Sequence, residues 1–378
     1  MERWSDQSNQ ARCEGAGAQW RQLRSRSYAL LGKEHAYHCM SGHRCLQMSD
    51  RHDPDRAHES HQSSNGYDPS SDFGDSSTLR TVDLFAGCGG MSLGFQQAGF
   101  QIVAAFDHWL PAVEVYTQNF SHPAKLADLS DPAIIPEIVR LSPDVIIGGP
   151  PCQDFSSAGP LQSGGKRANL TRAYADIVIL SRPRYFVFEN VPRARFSEVF
   201  LDAKRAFKEA GYGLTQVQLD AAFCGVPQSR KRLFLIGCLG QVDAFLEKSL
   251  TSSLSNKPLT MREYLGNEIN IDHYFRVPTN YSRRGVFSVD EPCATIRAVD
   301  RPVPRGYPGH KDDTAPINES LRGLTVLERS RIQTFPKNFK FVGVKTNLNT
   351  LIGNAVPVNL AKYVATKIKN FDSDLGQL

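Results

Sequence analysis

An α/β fold, a doubly wound and mostly parallel sheet covered by helices on both faces, is predicted for this sequence on three observations. Between residues 80 and 237, short apolar runs alternate with segments of helical spacing, the pattern of strands joined by crossover helices. The first run leads into a glycine-rich turn and then a helix, the build of a nucleotide-binding turn. Near Gly240 the alternation breaks, and a stretch without long helices begins.

The strands are expected, in order, at Val82–Phe85, Ile102–Phe106, Asp144–Gly148, Tyr185–Phe188, Leu214–Leu219 and Arg232–Ile236, with a short one ending at Asp128. Helices are expected at Met91–Ala98, Pro111–Asn119, Pro132–Arg140, Leu170–Leu180 and Ser197–Ala210. Residues 240–290 carry Asn, Ser, Tyr and paired arginines and read as a smaller inserted domain. A last helix, Pro357–Lys369, follows Gly353-Asn354. Residues 1–79 are rich in Ser, His, Arg, Asp and Gln with few apolar periodicities, and read as a disordered or loosely packed extension. Their cluster His35, His38, Cys39, His43 and Cys45 has no regular zinc-finger spacing, so no metal site is expected.

The chain of 378 residues is long enough for two domains and a substantial core. A net charge of +5 and a pI near 8.7 are mildly basic, compatible with a nucleic-acid partner but too weak to demonstrate one. No apolar stretch is long enough for a membrane span, and Met1-Glu2-Arg3-Trp4-Ser5 lacks the apolar segment of a signal peptide. Eight cysteines without disulfide spacing fit a reducing cytoplasm.

Five motifs carry chemistry. In Gly148-Gly149-Pro150-Pro151-Cys152-Gln153 the prolines cannot extend a ladder, so a thiol is held on a stiff loop at a strand's carboxyl end. Asp83-Leu84-Phe85-Ala86-Gly87-Cys88-Gly89-Gly90 is a glycine turn without the spacing of the dinucleotide fingerprint. Asp107 after the second strand suits a pair of ribose hydroxyls, and Asp128 suits an adenine amino group, so together they outline an adenosine pocket with no phosphate site. Glu189, in Phe188-Glu189-Asn190-Val191, leaves a buried strand at the sheet rim, where a carboxyl partly removed from water keeps its proton more readily. Gln228, Arg230 and Arg232 alternate along one strand and are expected to point together as an anion or carbonyl clamp. The fifth motif, Gly353-Asn354-Ala355-Val356-Pro357, is expected to be the turn that opens the last helix.

These motifs, in this order over roughly residues 80–370, resemble the DNA (cytosine-5)-methyltransferases of bacterial modification systems. The resemblance implies a class I S-adenosylmethionine-dependent methyltransferase fold. It divides the chain into an extension at 1–79, a catalytic and cofactor-binding domain at 80–237, a small target-recognition domain at 238–320, and a C-terminal segment at 321–378 returning to the catalytic body. It makes Cys152 the nucleophile on carbon 6 of a flipped cytosine, with Glu189 on the ring's nitrogen 3 and amine. Arg232 then serves the cytosine carbonyl, and Arg230 a nearby phosphate or the flipped base. S-adenosylmethionine would lie among Phe85, Gly87, Gly89, Asp107, His108, Asp128, Leu129, Pro151, Leu170, Asn354 and Val356. Asp107 stands where the family usually has glutamate, and His108 where an aromatic ring is common.

Contacts to double-stranded DNA are implied for Gln153, Ser156, Gln228, Arg283, Arg284 and Arg297, with the glycine- and serine-containing stretch after Gln153 as a closing loop. The family also implies a cytoplasmic monomer, no metal, and a cognate restriction endonuclease acting separately. A tRNA-modifying enzyme on the same fold would carry Cys-Phe-Thr in its recognition region, and the sequence has none. A non-catalytic relative that only binds nucleic acid would lack the nucleophile or the glutamate. A nicotinamide dehydrogenase explains neither Cys152 nor Glu189.

Overall fold

The computed structural model describes residues 78–151, 168–280, 282–299 and 301–377. The extension expected at 1–79 lies outside them except for its last two residues; Cys152, Gln153, Ser156 and the expected closing loop lie outside them too. The body is a seven-stranded sheet. Its strands are β1 (Arg80–Leu84), β2 (Gln101–Asp107), β3 (Ala124–Leu126), β4 (Val145–Gly148), β5 (Tyr185–Asn190), β6 (Tyr212–Asp220) and β8 (Lys231–Leu239), in spatial order β3-β2-β1-β4-β5-β8-β6. The two-residue strand β7 (Gln228–Ser229) precedes β8. From β3 to β5 all pairings are parallel; β8 runs antiparallel to β5 and to β6. The expected strands are all present, lengthened or shifted by a few residues, and this is the expected class I arrangement.

Winding reverses between β1 and β4: the chain first builds outward to β3, then returns to start β4 on the other side of β1. Ligands of open α/β sheets sit at such a switch point, outside the carboxyl ends of the strands. Here those ends are Phe85 and Gly149.

Strand alternation sorts the core into two layers. Val145, Ile147, Tyr185 and Val187 face one way and pack with α1 (Gly90–Gln97) and α10 (Val358–Leu375). Ile146, Phe186 and Phe188 face the other and pack with α4 (Ala168–Ser181) and α5 (Glu198–Glu209). The remaining body helices are α2 (Leu110–Thr117) and α3 (Ile135–Arg140), the latter preceded by a 3-10 turn at Pro132–Ile134 where one continuous helix is expected. Gly94 lets α1 and α10 touch: a Cβ there would lie 2.5 Å from Ala361 Cβ and 2.6 Å from the Val358 carbonyl oxygen.

Beyond β8 come two five-residue helices, α6 (Glu247–Thr251) and α7 (Met261–Leu265), then the hairpin β9 (His273–Phe275) and β10 (Val286–Ser288). Met261, Tyr274, Phe287, Val289, Cys293 and Ile296 form a separate small core there. Strand β11 (Cys293–Ala294) pairs in parallel with β7, so this region is tied to the body by hydrogen bonds. Two C-terminal helices without an expectation in the sequence follow, α8 (Val326–Ile332) and α9 (Lys345–Asn354). Gly353 and Asn354 therefore close α9 instead of opening the last helix; the turn proper is Ala355–Pro357. Among the described residues no helix is long and apolar enough to cross a membrane.

Candidate active site

Two features stand side by side at the switch point: a cleft at the ends of β1 to β3, and an acid–arginine pair at the end of β5. The cleft has a volume of about 320 Å3 and is lined by Phe85, His108, Leu126, Ala127, Asp128, Leu129 and Leu170. Five of the residues expected around a cofactor thus share one cavity, and Leu126, the last residue of the short edge strand, and Ala127 after it join them. Their signal was there, since a strand that ends on a binding acid also presents the residues before it.

Phe85 takes a left-handed backbone (φ +59°), a conformation that costs an ordinary residue about 1–3 kcal/mol and concentrates at binding sites. It turns the chain at once from β1 into the glycine turn. Gly87 is also left-handed (φ +56°), with open space where a Cβ would stand. Gly89 differs: a Cβ there would meet Phe120 Cε2 at 2.4 Å and Tyr116 Cε2 at 2.9 Å. Gly89 is left-handed as well (φ +88°), and its smallness also serves packing against the end of α2. Gly90 is equally tight, with the Val356 carbonyl oxygen 2.3 Å from a built Cβ, so Val356 lies directly behind the turn; Asn354 is exposed.

Asp107 holds the turn. Its Oδ2 accepts the Gly87 N–H at 2.8 Å and its Oδ1 the Trp109 N–H at 2.9 Å, so the short side chain draws the backbone to itself. Each carboxylate oxygen can accept a second bond, which leaves room for a hydroxyl donor. Asp128 is exposed, with Oδ1 bonded to Ser130 N–H and Oγ–H. His108 is exposed beside Asp107. An apolar slot with a carboxylate on either side suits a neutral adenosine, so the residues present fit the nucleoside half of S-adenosylmethionine.

Beneath the turn runs a buried polar chain. Tyr116 O–H donates to Ser92 Oγ at 2.6 Å, and Ser92 O–H donates to Asp83 Oδ2 at 2.6 Å. His122 Nε2 lies 2.7 Å from the Tyr116 hydroxyl. Burial pushes the Asp83 carboxyl up to about 7, with Asp107 adding to the shift and the Ser92 bond opposing it.

At the end of β5, Glu189 is buried and its Oε1 lies 2.9 Å from Arg232 Nε. Burial raises the Glu189 pKa above the usual carboxylate value; Arg232 and Arg230 only partly offset it. The antiparallel register sets Asn190 opposite Leu233, so the start of β8 meets the end of β5 on the same rim. Asn190 Nδ2 donates to the Pro150 carbonyl at 3.0 Å, and a Cβ on Gly149 would lie 2.9 Å from Glu189 Oε2. The chain entering Cys152 is thereby fixed against the Glu189 corner.

Gln228 and Arg230 require correction. Both are buried and do not join Arg232 in a solvent-facing clamp. Arg230 Nη1 donates to the Ile296 carbonyl at 3.0 Å, and Nη2 to those of Gly353 and Ala355 at 3.0 and 3.1 Å. Gln228 accepts the Ile296 N–H at 2.9 Å and donates to Gln333 Oε1 at 2.8 Å. The short strand lets the three residues separate: Gln228 and Arg230 turn inward between the body and its appended segments, and only Arg232 reaches Glu189. Gln333, on no expected motif, closes this network.

Of the other residues expected on DNA, Arg283 is exposed. Arg284 pairs with Glu291 at 2.6 Å and covers Phe287. Arg297 donates to the Val277 carbonyl and to Thr279 Oγ1. The described cysteines, Cys88, Cys224, Cys238 and Cys293, are buried free thiols. Burial pushes each of them up, to between about 11 and about 12, so none is an available nucleophile at neutral pH. No cluster of three or more metal-ligating side chains stands among the described residues.

Comparison with known proteins gives the family and the fold. The family model for C-5 cytosine-specific DNA methylases matches residues 79–370. The type II methyltransferase M.HindV of Haemophilus influenzae is 52% identical over 298 residues, 78% of this chain and 98% of that protein. M.HgiDI of Herpetosiphon aurantiacus, also a type II methyltransferase, is 51% identical over 294 residues, 78% of this chain and 95% of its own length. Among solved structures, the Dnmt2 methyltransferase of S. pombe shares the fold with a TM-score of 0.58 at 19% identity, over 79% of this chain and 99% of that one. The chain belongs to the C-5 cytosine-specific DNA methylases and is a DNA (cytosine-5)-methyltransferase of the type II modification class.

Proposed function

We propose that the enzyme methylates carbon 5 of a cytosine extruded from duplex DNA, through a transient bond to Cys152 and with S-adenosylmethionine as methyl donor. The observation that supports it best is the bond from Asn190 Nδ2 to the Pro150 carbonyl, which holds the base of the Cys152 segment beside the Glu189–Arg232 pair. The described cysteines are buried free thiols and take no part, whereas the Pro-Pro-Cys motif puts Cys152 one residue beyond the anchored Pro150-Pro151 segment.

Cytosine carbon 5 is a weak nucleophile within an aromatic ring. Addition of the Cys152 thiolate to carbon 6 breaks the 5,6 double bond, and Glu189 delivers its proton to nitrogen 3, so no full charge builds on the ring. The pair of electrons displaced toward carbon 5 would take up the methyl of the sulfonium donor, whose sulfur would keep the electrons of the broken carbon–sulfur bond and leave as a neutral thioether. Water then removes the carbon 5 proton, the 5,6 double bond returns as the thiolate leaves, and nitrogen 3 gives its proton back to the Glu189 carboxylate. Arg232 keeps Glu189 oriented and presents its remaining N–H groups to the cytosine carbonyl.

S-adenosylmethionine, when bound, supplies an electrophilic methyl. Phe85 and Leu129 would enclose its adenine, Asp107 would receive the ribose hydroxyls, Asp128 the adenine amine, and Gly87 and Val356 would border the methionine portion. Leu170, His108, Pro151 and Asn354 complete the rim. Extrusion of the base costs a few kcal/mol, which contacts from the loop after Cys152 and from the region 238–320 would offset. Residues 80–237 and 321–378 act as the catalytic body in this reading, and the chain works as a monomer in the cytoplasm, its modification shielding DNA from a separate endonuclease.

Duplex DNA carrying 5-fluorocytosine at the target base tests the mechanism, because fluorine cannot leave as a proton does. A covalent protein–DNA complex is expected with S-adenosylmethionine present. Its absence at a confirmed target sequence, or continued methyl transfer by Cys152→Ala, would refute it. Tritium transfer to duplex DNA and not to tRNA separates the DNA enzyme from the RNA alternative.

A further inference from the structure

The arginines between 260 and 331 divide by partner. Arg262, Arg284, Arg322 and Arg331 each meet a carboxylate: Asp290, Glu291, Glu328 and Glu268. Arg276 meets none among the described residues, and its Nε is buried without an acceptor there. Its backbone is fixed: the N–H donates to the Gly285 carbonyl at 2.8 Å, extending the β9–β10 ladder by one rung. Its charged neighbours include two more guanidiniums. Burial first, then Arg297 and Arg283, push its pKa down to about 10. Crowding like charges in a recess is unfavourable unless an anion arrives.

Arg276 lines a cleft of about 530 Å3 between the body and the hairpin, with Asp220, Ser229, Phe287, Glu291 and Thr295 among its walls. The carboxylates there are engaged. Asp220 accepts the Arg230 N–H at 3.0 Å, and Glu291 holds Arg284 and the Ser288 N–H at 3.0 Å. Asp220 of this cleft pairs with Lys231 across the β6–β8 ladder, one residue from Arg232, so the cleft opens beside the start of β8 that carries Arg232.

We infer that Arg276, with Arg297 beside it, seats one phosphate diester of the substrate duplex next to the target cytosine. Only a protruding anionic group can reach a recessed guanidinium, and on a duplex that group is a phosphate; base edges lie in the grooves and are met by side chains that project. This assignment rests on the DNA-methylating reading of the site.

The test measures binding of the full-length enzyme to labelled short duplexes, with and without its target sequence, across a salt series. Arg276→Ala is expected to weaken binding to both duplexes by the same factor and to make the slope of log K against log salt shallower by about one. Arg276→Lys is expected to keep the slope. Single methylphosphonate substitutions add a check that needs no unfolding control: one neutralised phosphate should weaken the wild-type enzyme and leave Arg276→Gln unaffected. An unchanged slope, a loss confined to the target duplex, or no phosphate that distinguishes the two proteins would each overturn the seat. A wild-type enzyme that fails to methylate DNA at all would instead overturn the function proposed above.

Discussion

Replacing Arg230 with methionine tests whether one buried guanidinium holds three parts of the chain together. The substitution keeps most of the stem's volume and removes donors to Ile296, Gly353 and Ala355. The Ala355 carbonyl keeps a donor, because Gln333 Nε2 also reaches it at 3.2 Å. Gly353 would ordinarily bond four residues on, but that residue is Pro357, which has no N–H. Two carbonyls are therefore orphaned, each at a cost of about 1–3 kcal/mol. Relief from burying a charge offsets part of that loss, since burial already holds the Arg230 pKa well below its ordinary value. A net destabilisation of about 3 kcal/mol is expected. Urea unfolding monitored by tryptophan fluorescence and by circular dichroism measures it, with Arg230→Lys as an intermediate case. A loss under about 0.5 kcal/mol, the scale of an ordinary surface substitution, would refute the strap.

Glu189→Gln keeps the shape of the corner and removes the transferable proton, so turnover should fall by about 100-fold or more with duplex affinity nearly unchanged; a single-turnover rate within tenfold of the wild type would exclude the proton role. Because burial raises the Glu189 pKa, the active protonated form is lost as pH rises through that pKa, and the pH–rate profile should decline on its alkaline side. Asp83 has its pKa raised from 3.8 to about 7, so its contribution to stability is complete below pH 3.8 and is lost as pH rises through about 7. Asp83→Asn, which still accepts the Ser92 hydroxyl, should flatten that part of the pH–stability curve, and an unaltered curve would show that Asp83 ionises freely. Gly94→Ala forces a methyl into α10 and should destabilise the fold by about 1–3 kcal/mol in thermal unfolding; a neutral effect would mean that the helices slide apart freely.

The order of strands in the body was legible because buried parallel strands are continuous apolar runs, and β4 and β5 are buried along their whole length. Edge strand β3 has two exposed residues out of three, so only its acid end gave a signal. Helices α8 and α9 escaped notice because polar residues, Gln333 and Asn349 among them, lie buried inside the contacts they make. Local spacing located Glu189 and Arg232 correctly at the rim. It failed for Gln228 and Arg230, since alternation predicts a shared direction only along a regular strand, and the backbone here passes from β7 to β8 through a break at Arg230. Their true partners lie 66 to 125 residues away in the chain, beyond the reach of any local pattern.

The bonds that anchor Ile296 carry one more implication. Gln228 and Arg230 grip this position only through its amide and its carbonyl. Every amino acid except proline offers those same two atoms. Sequence drift in the β9–β10 hairpin can therefore proceed without loosening these two bonds. With 238–320 in the target-recognition role proposed above, a hairpin grafted from a relative should seat on the same pegs, making this joint a natural place to exchange one specificity for another.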